Sequence, residues 1–254
     1  MRKIGLSVVG AACIAALAMV SSTISSAGPD GRLTVVELFT SQSCYSCPPA
    51  EAFLGELVSE RADVLALEFH VDYWDDLVYG SAGRWKDIFS SHAYTERQLS
   101  YNKAIRGRPS VYTPQMVIDG REEAVGTRRS EILSAIGRAA LDGKPRLEVS
   151  VEPDTAGGLL VRIEGPIEED AAVWLVRFQR EATTRVLRGE NHGKTLTNHN
   201  IVKEVSRIAD WDGRSTSVSV RDLDLPPGDT CAVLVQPHRL GRIFGAAICP
   251  ATSS

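Results

Sequence analysis

Between residues 32 and 142 the apolar positions follow two alternating rhythms. The run LTVVELFT (33–40) is apolar and β-branched over the length of a strand. Directly after it, Ala50, Phe53, Leu54, Leu57 and Val58 recur at helical spacing and predict an amphipathic helix over 48–60. VLALEFHV (64–71) is a second strand-like run, and two apolar strands bridged by one helix predict a parallel βαβ unit. A long aromatic, turn-rich stretch follows, with a helix expected near 92–106. In TPQMVIDGREEAVG, Asp119-Gly120 between two short runs signals a tight hairpin. Ile132, Leu133, Ile136, Ala139 and Ala140 give one apolar face to a final helix, with Gly143 as its stop. The order βαβαββα, with a long insertion, is that of a layered α/β domain.

Beyond Lys144-Pro145 the pattern shortens. RLEVSVEP, GLLVRIEG, AAVWLVRFQ, TSVSVRDLDL, TCAVLVQP and RIFGAAIC read as strands separated by turn residues, which predicts a β-rich second domain over 144–254, built as a sandwich. HNIVKEVSRIADW fits a helical period at Ile201, Val202, Val205 and Ile208, with a strand as the other reading. At the other end, Arg2 and Lys3 precede an apolar run that closes on small residues at Ser25 and Ala27. That is the pattern of a cleaved signal peptide over residues 1–27, leaving a first domain over 28–143. Its removal takes away two positive charges, Arg2 and Lys3, and moves the formal net charge from −4 to −6. Such an acidic chain is a poor partner for nucleic acid or an anionic membrane, and no later segment is apolar for long enough to span a bilayer. The expected location is periplasmic or secreted, where disulfides persist.

Four cysteines remain. Cys44 and Cys47 stand in SQSCYSCPPAE, at the end of a predicted strand and the start of a predicted helix. A C-x-x-C pair serves zinc sites, redox couples and simple clips alike. The positive end of a helix stabilises a thiolate over a thiol, which suits a pair whose first thiol attacks a disulfide and whose second resolves the mixed disulfide. Pro48 and Pro49 fit a first helical turn and leave Cys44 exposed in the preceding loop.

The succession of strand, CYSC, helix, strand, helix and TPQMVIDG resembles the thioredoxin superfamily, with Thr113-Pro114 in the place of its cis-proline. More closely, VVELFTSQSCYSCPPAE, FHVDYWD, YTERQ and VYTPQMVIDG are similar to a secreted bacterial family known as domain of unknown function 1223. The resemblance implies a thioredoxin-like domain with an appended β domain and brings no established activity. By it, Cys44 would be the nucleophile, Cys47 the resolving cysteine and Pro114 the substrate-loop proline. Tyr45-Ser46 replaces the Gly-Pro of thioredoxin, and Ser43 stands where its tryptophan would be.

Glu37 lies within VVELF, where thioredoxins keep a buried acid that accepts a proton from the second cysteine; an arginine-paired carboxylate is the other reading. Glu68, His70 and Asp72 alternate along the second strand, and His70 with Cys44 and Cys47 would make a copper(I) site, the main rival to redox chemistry. His92, His192, His199 and His238 lack metal-like spacing with the cysteines. A hairpin centred at Leu240 would set Cys231 opposite Cys249 and predicts a structural disulfide. The leading expectation is a thiol-disulfide oxidoreductase without a cofactor, acting on protein or peptide disulfides and served by a redox partner protein. The rivals are a copper carrier and a binding protein with a closed clip.

Overall fold

The computed structural model describes residues 32–78, 80–155 and 157–251; the expected signal peptide lies outside them. Chain order is β1 (Thr34–Thr40), α1 (Pro48–Glu60), β2 (Val64–His70), a short 3-10 turn (Gly80–Ala82), α2 (His92–Arg106), β3 (Gln115–Ile118), β4 (Glu122–Val125) and α3 (Arg129–Ala140). Then follow β5 (Glu148–Pro153), β6 (Leu159–Glu164), β7 (Ala171–Arg185), β8 (Thr195–Trp211), β9 (Thr216–Val220), β10 (Asp229–Gln236) and β11 (Gly245–Ile248). The result is a mixed α/β fold with a large central sheet and few helices.

The first half follows its periodicity. β1 and β2 pair in parallel, with Thr34 opposite Val64 and Thr40 opposite His70. β3 and β4 form the hairpin signalled by Asp119-Gly120, both of which turn in the left-handed region. Pleating divides β1 cleanly. Val36 and Leu38 face α1 and α3 in a core with Phe53, Leu54, Met116 and Ile132, whereas Val35 and Phe39 face α2 in a core with Phe69, Tyr94 and Tyr101.

The second half departs from the expectation of a separate sandwich. A single eight-stranded sheet, ordered β11-β10-β7-β8-β2-β1-β3-β4, crosses the residue 143 boundary, because β8 lies beside β2 and the long β7–β8 hairpin extends the sheet outward. The α2-side core continues into Val176, Phe178, Val202 and Leu234, so one apolar layer is built from both halves. Only β5, β6 and β9 form a second sheet, whose Leu159, Val161 and Ile163 pack on Leu175, Val233, Val235 and Trp211. The helical reading of residues 201–208 is replaced by β8. The pairing of β7 with β8 is bulged at Val173/Trp174 and Arg177/Phe178. Each bulge adds a residue to one strand and reverses its alternation, which turns a period of two into a spacing that mimics a helix.

Candidate functional site

The chain leaves β1 through a tight loop in which the Cys44 amide donates to Ser41 O (3.0 Å) and the Cys47 amide to Cys44 O (3.2 Å). Cys47 is the residue before α1, Pro48 and Pro49 fill the first helical positions, and the amides of Ala50 and Glu51 donate to Cys47 O. Prolines are tolerated there because the first amides of a helix have no helical acceptor. Cys44 and Cys47 are joined by a disulfide, with Cα atoms 5.4 Å apart. Thr113-Pro114 is a cis peptide. A side chain on Gly126 would collide with both Ala50 Cβ and Pro114 Cβ, which places Pro114 against the first turn of α1.

The expected exposure of Cys44 is not found: both cysteines have no accessible surface. Ser46 Oγ lies 3.4 Å from Cys44 Sγ, and distant parts of the chain bond the backbone of the loop. Asn191, in the turn between β7 and β8, donates from Nδ2 to both Gln42 O and Cys44 O, each at 2.9 Å. Glu190 Oε2 accepts from the Tyr45 amide at 2.8 Å, and the Ser43 hydroxyl donates to Trp85 O.

Glu37 is on the wrong face for the role the resemblance gave it. It shares the α2 side of β1 with Val35 and Phe39, not the α1 side that carries Cys47. Arg97 grips it with two hydrogen bonds of 2.6 and 2.9 Å, and Tyr101 donates a third at 2.7 Å. Arg97 and Tyr101 also bond Gln236 of β10, so this ion pair ties both halves of the sheet together. The arginine-paired alternative describes it.

On the α1 side lies an acid that sequence reasoning missed. Glu51 is 2% exposed and accepts from the Thr40 hydroxyl at 2.7 Å. Burial, aided by the nearby Glu68 charge and opposed by His70, pushes its carboxyl up to about 8. At neutral pH Glu51 therefore holds a proton. Its position was legible: Glu51 falls four residues after Cys47 and three before Leu54, within the apolar stripe of α1.

His70 completes the cluster. Its Nδ1 lies 2.7 Å from Asp87 Oδ2, while Nε2 is 3.4 Å from Glu68 Oε1 without the alignment of a hydrogen bond. Burial opposes the imidazolium, but the Asp87 and Glu68 carboxylates override it and raise His70 well above its usual range. Asp87, from the long insertion, also accepts from the Gln42 amide at 2.7 Å, which links this cluster to the cysteine loop. Glu68 is held by Asn198 Nδ2 (2.7 Å) and the His199 amide (2.9 Å), both on β8. Asp72 leaves the cluster and pairs with Thr95 and the exposed His92. Among the described residues, in which Cys44 and Cys47 are joined as a disulfide, no group of three or more His, Cys, Asp and Glu side chains is arranged as a metal site.

Cys231 and Cys249 are also bonded, with Cα atoms 5.2 Å apart and the Cys249 amide donating to Cys231 O. They sit across the β10–β11 pair in the register that Leu240 centres, within the apolar core beneath the three-stranded sheet.

Residues 35–236 match the model of a family described as "Protein of unknown function (DUF1223)". The chain belongs to this family. It is also similar to a protein from Agrobacterium tumefaciens whose X-ray crystal structure came from structural genomics. The two are 29% identical with a TM-score of 0.68, over 88% of this chain and 97% of that one. No curated protein matches the sequence. The matched residues run from β1 to β10, include the cysteine loop and the turn bonded to it, and bring no assigned activity.

Proposed function

We propose that this protein is an exported, thioredoxin-like thiol-disulfide oxidoreductase that exchanges the Cys44–Cys47 disulfide with protein or peptide thiols. One arrangement carries the reading: Glu51, four residues after Cys47 on α1, is buried with Thr40, Glu68, His70 and Asp87 around it, and Asp87 accepts from the Gln42 amide of the cysteine loop. Burying such groups costs stability, and a closed clip would be better served by apolar neighbours. A thiol-exchange site needs them, because protons must follow electrons into a place without water. The packing of Pro114 beside the first turn of α1 supports the same reading.

In this reading a partner thiolate attacks Cys44 Sγ, the Cys44–Cys47 bond breaks, and Cys47 leaves with the electron pair and takes a proton from Glu51. A second partner thiol, giving up its proton, then attacks the partner sulfur of the mixed disulfide. Cys44 leaves with the electrons and is protonated, so the partner becomes a disulfide and the protein a dithiol. The opposite direction follows the same steps reversed. Glu51 takes the role first sought at Glu37, with His70 and Asp87 fixing the charge around it.

Complete burial of both sulfurs favours one other reading, a binding protein in which the pair is an inert clip. Cys47→Ser separates the two. In a working couple the Cys44 thiol of the variant attacks a partner disulfide, releases one partner thiol and stays trapped in the mixed disulfide, so insulin reduction and refolding activity are lost; a clip has no such activity to lose.

A further inference from the structure

We infer that the turn joining β7 to β8 is an internal stand-in for an extended polypeptide substrate, and that Asn191 and Glu190 decide which thiols reach the disulfide. The inference rests on the thiol-exchange reading above. Thiol-disulfide exchange requires a sulfur to approach along the S–S axis, and neither cysteine offers any accessible surface. The covering contacts are polar and specific. The Asn191 amide N–H group donates to Cys44 O, and the Glu190 carboxylate accepts from the Tyr45 amide. One donor and one acceptor placed on consecutive residues of the dithiol loop are what an extended peptide backbone would supply.

The turn is built to hold this pose without being welded into it. Val186 and Lys194 close its base through the Val186 amide, and Lys194 Nζ donates to Asn191 Oδ1 at 2.8 Å while lying 4.3 Å from the centre of the Tyr45 ring. Asn191 is fully buried, whereas Tyr45 and Leu187 are 66% and 59% exposed. A partner strand thus meets an exposed aromatic on the dithiol loop and an exposed aliphatic on the turn. It can replace the two side-chain contacts with its own main chain as its cysteine reaches Cys44. A small thiol offers no such replacement and must wait for the turn to open.

The test compares reduction of the Cys44–Cys47 bond in the oxidised full-length protein by dithiothreitol and by an extended peptide carrying one cysteine. Wild type, Asn191→Ala, the milder Asn191→Ser and Glu190→Gln are followed by alkylation and mass spectrometry, with Cys231–Cys249 as internal reference. Loss of the covering hydrogen bonds should speed dithiothreitol on the order of tenfold while leaving the peptide rate much less changed. The preference for peptide over small thiol then shrinks by that factor. Equal rates in wild type and variants would overturn the cover, even with insulin reduction intact. So would an acceleration shared by Cys231–Cys249, which would mean general loosening. Selective acceleration in a protein that turns over no protein disulfide would uphold the cover as a barrier and sink the oxidoreductase reading beneath it.

Discussion

Cys231–Cys249 and Cys44–Cys47 are both buried disulfides attached to the same eight-stranded sheet, yet their neighbours differ in kind. The first lies in an apolar layer with Leu147, Ile163, Val233 and Phe244. The second stands in a loop whose backbone is bonded by Asn191 and Glu190 and by Asp87, a member of the buried cluster with Glu51, Glu68 and His70. Burial alone therefore does not tell a staple from a reagent. An apolar layer around a disulfide stabilises it, whereas proton-holding groups beside it prepare it to change state.

The sharpest way to break this comparison is to remove one member of each pair. Cys44→Ser should abolish thiol exchange with insulin, whereas Cys231→Ser should leave exchange by the folded protein in place. Glu37→Gln comes next. It strands Arg97 in the core and should lower unfolding free energy by about 3–5 kcal/mol in denaturant titration, without moving the pH profile of exchange. Cys231→Ser should cost about 3 kcal/mol for the loop it closes. The smallest effect is the most informative one. Folded Glu51 keeps its proton to about pH 8, whereas unfolded chains release theirs near the ordinary glutamate value of 4.5. Between those values the native state binds more protons, so stability falls as pH rises, by no more than about 1.4 kcal/mol per pH unit from this group. His70, also raised, adds to the fall above the ordinary histidine value of 6.5. Glu51→Gln should flatten the slope most clearly between about pH 5 and 6.5, where His70 contributes little.

Much of the first half was legible because its elements obey local rules. The βαβ unit follows from two apolar runs around one amphipathic stripe, and the β3–β4 hairpin from Asp119-Gly120. Parity separates the two readings of Glu37. Its neighbours Val36 and Leu38 pack on α1, so Glu37 must face away, and the acid on the correct side was already visible in the apolar stripe of α1. Other features were beyond local reasoning. The bulges that disguise β8 depend on its pairing with β7, and the closure over Cys44 is made by Asn191, 147 residues away. His70 was noticed for its place at the end of β2. Its partner Asp87 comes from an insertion whose path no periodicity describes.

The central claim is that Cys44–Cys47 is a working redox couple whose protons are held by Glu51. Its most direct test is the reduction potential of that couple from about pH 6 to pH 9, in wild type and in Glu51→Gln. A working couple has a potential above about −300 mV and a change of slope near pH 8 that disappears in the variant. A potential well below about −300 mV, with the same pH dependence in both proteins, would contradict it and make Cys44–Cys47 a second staple.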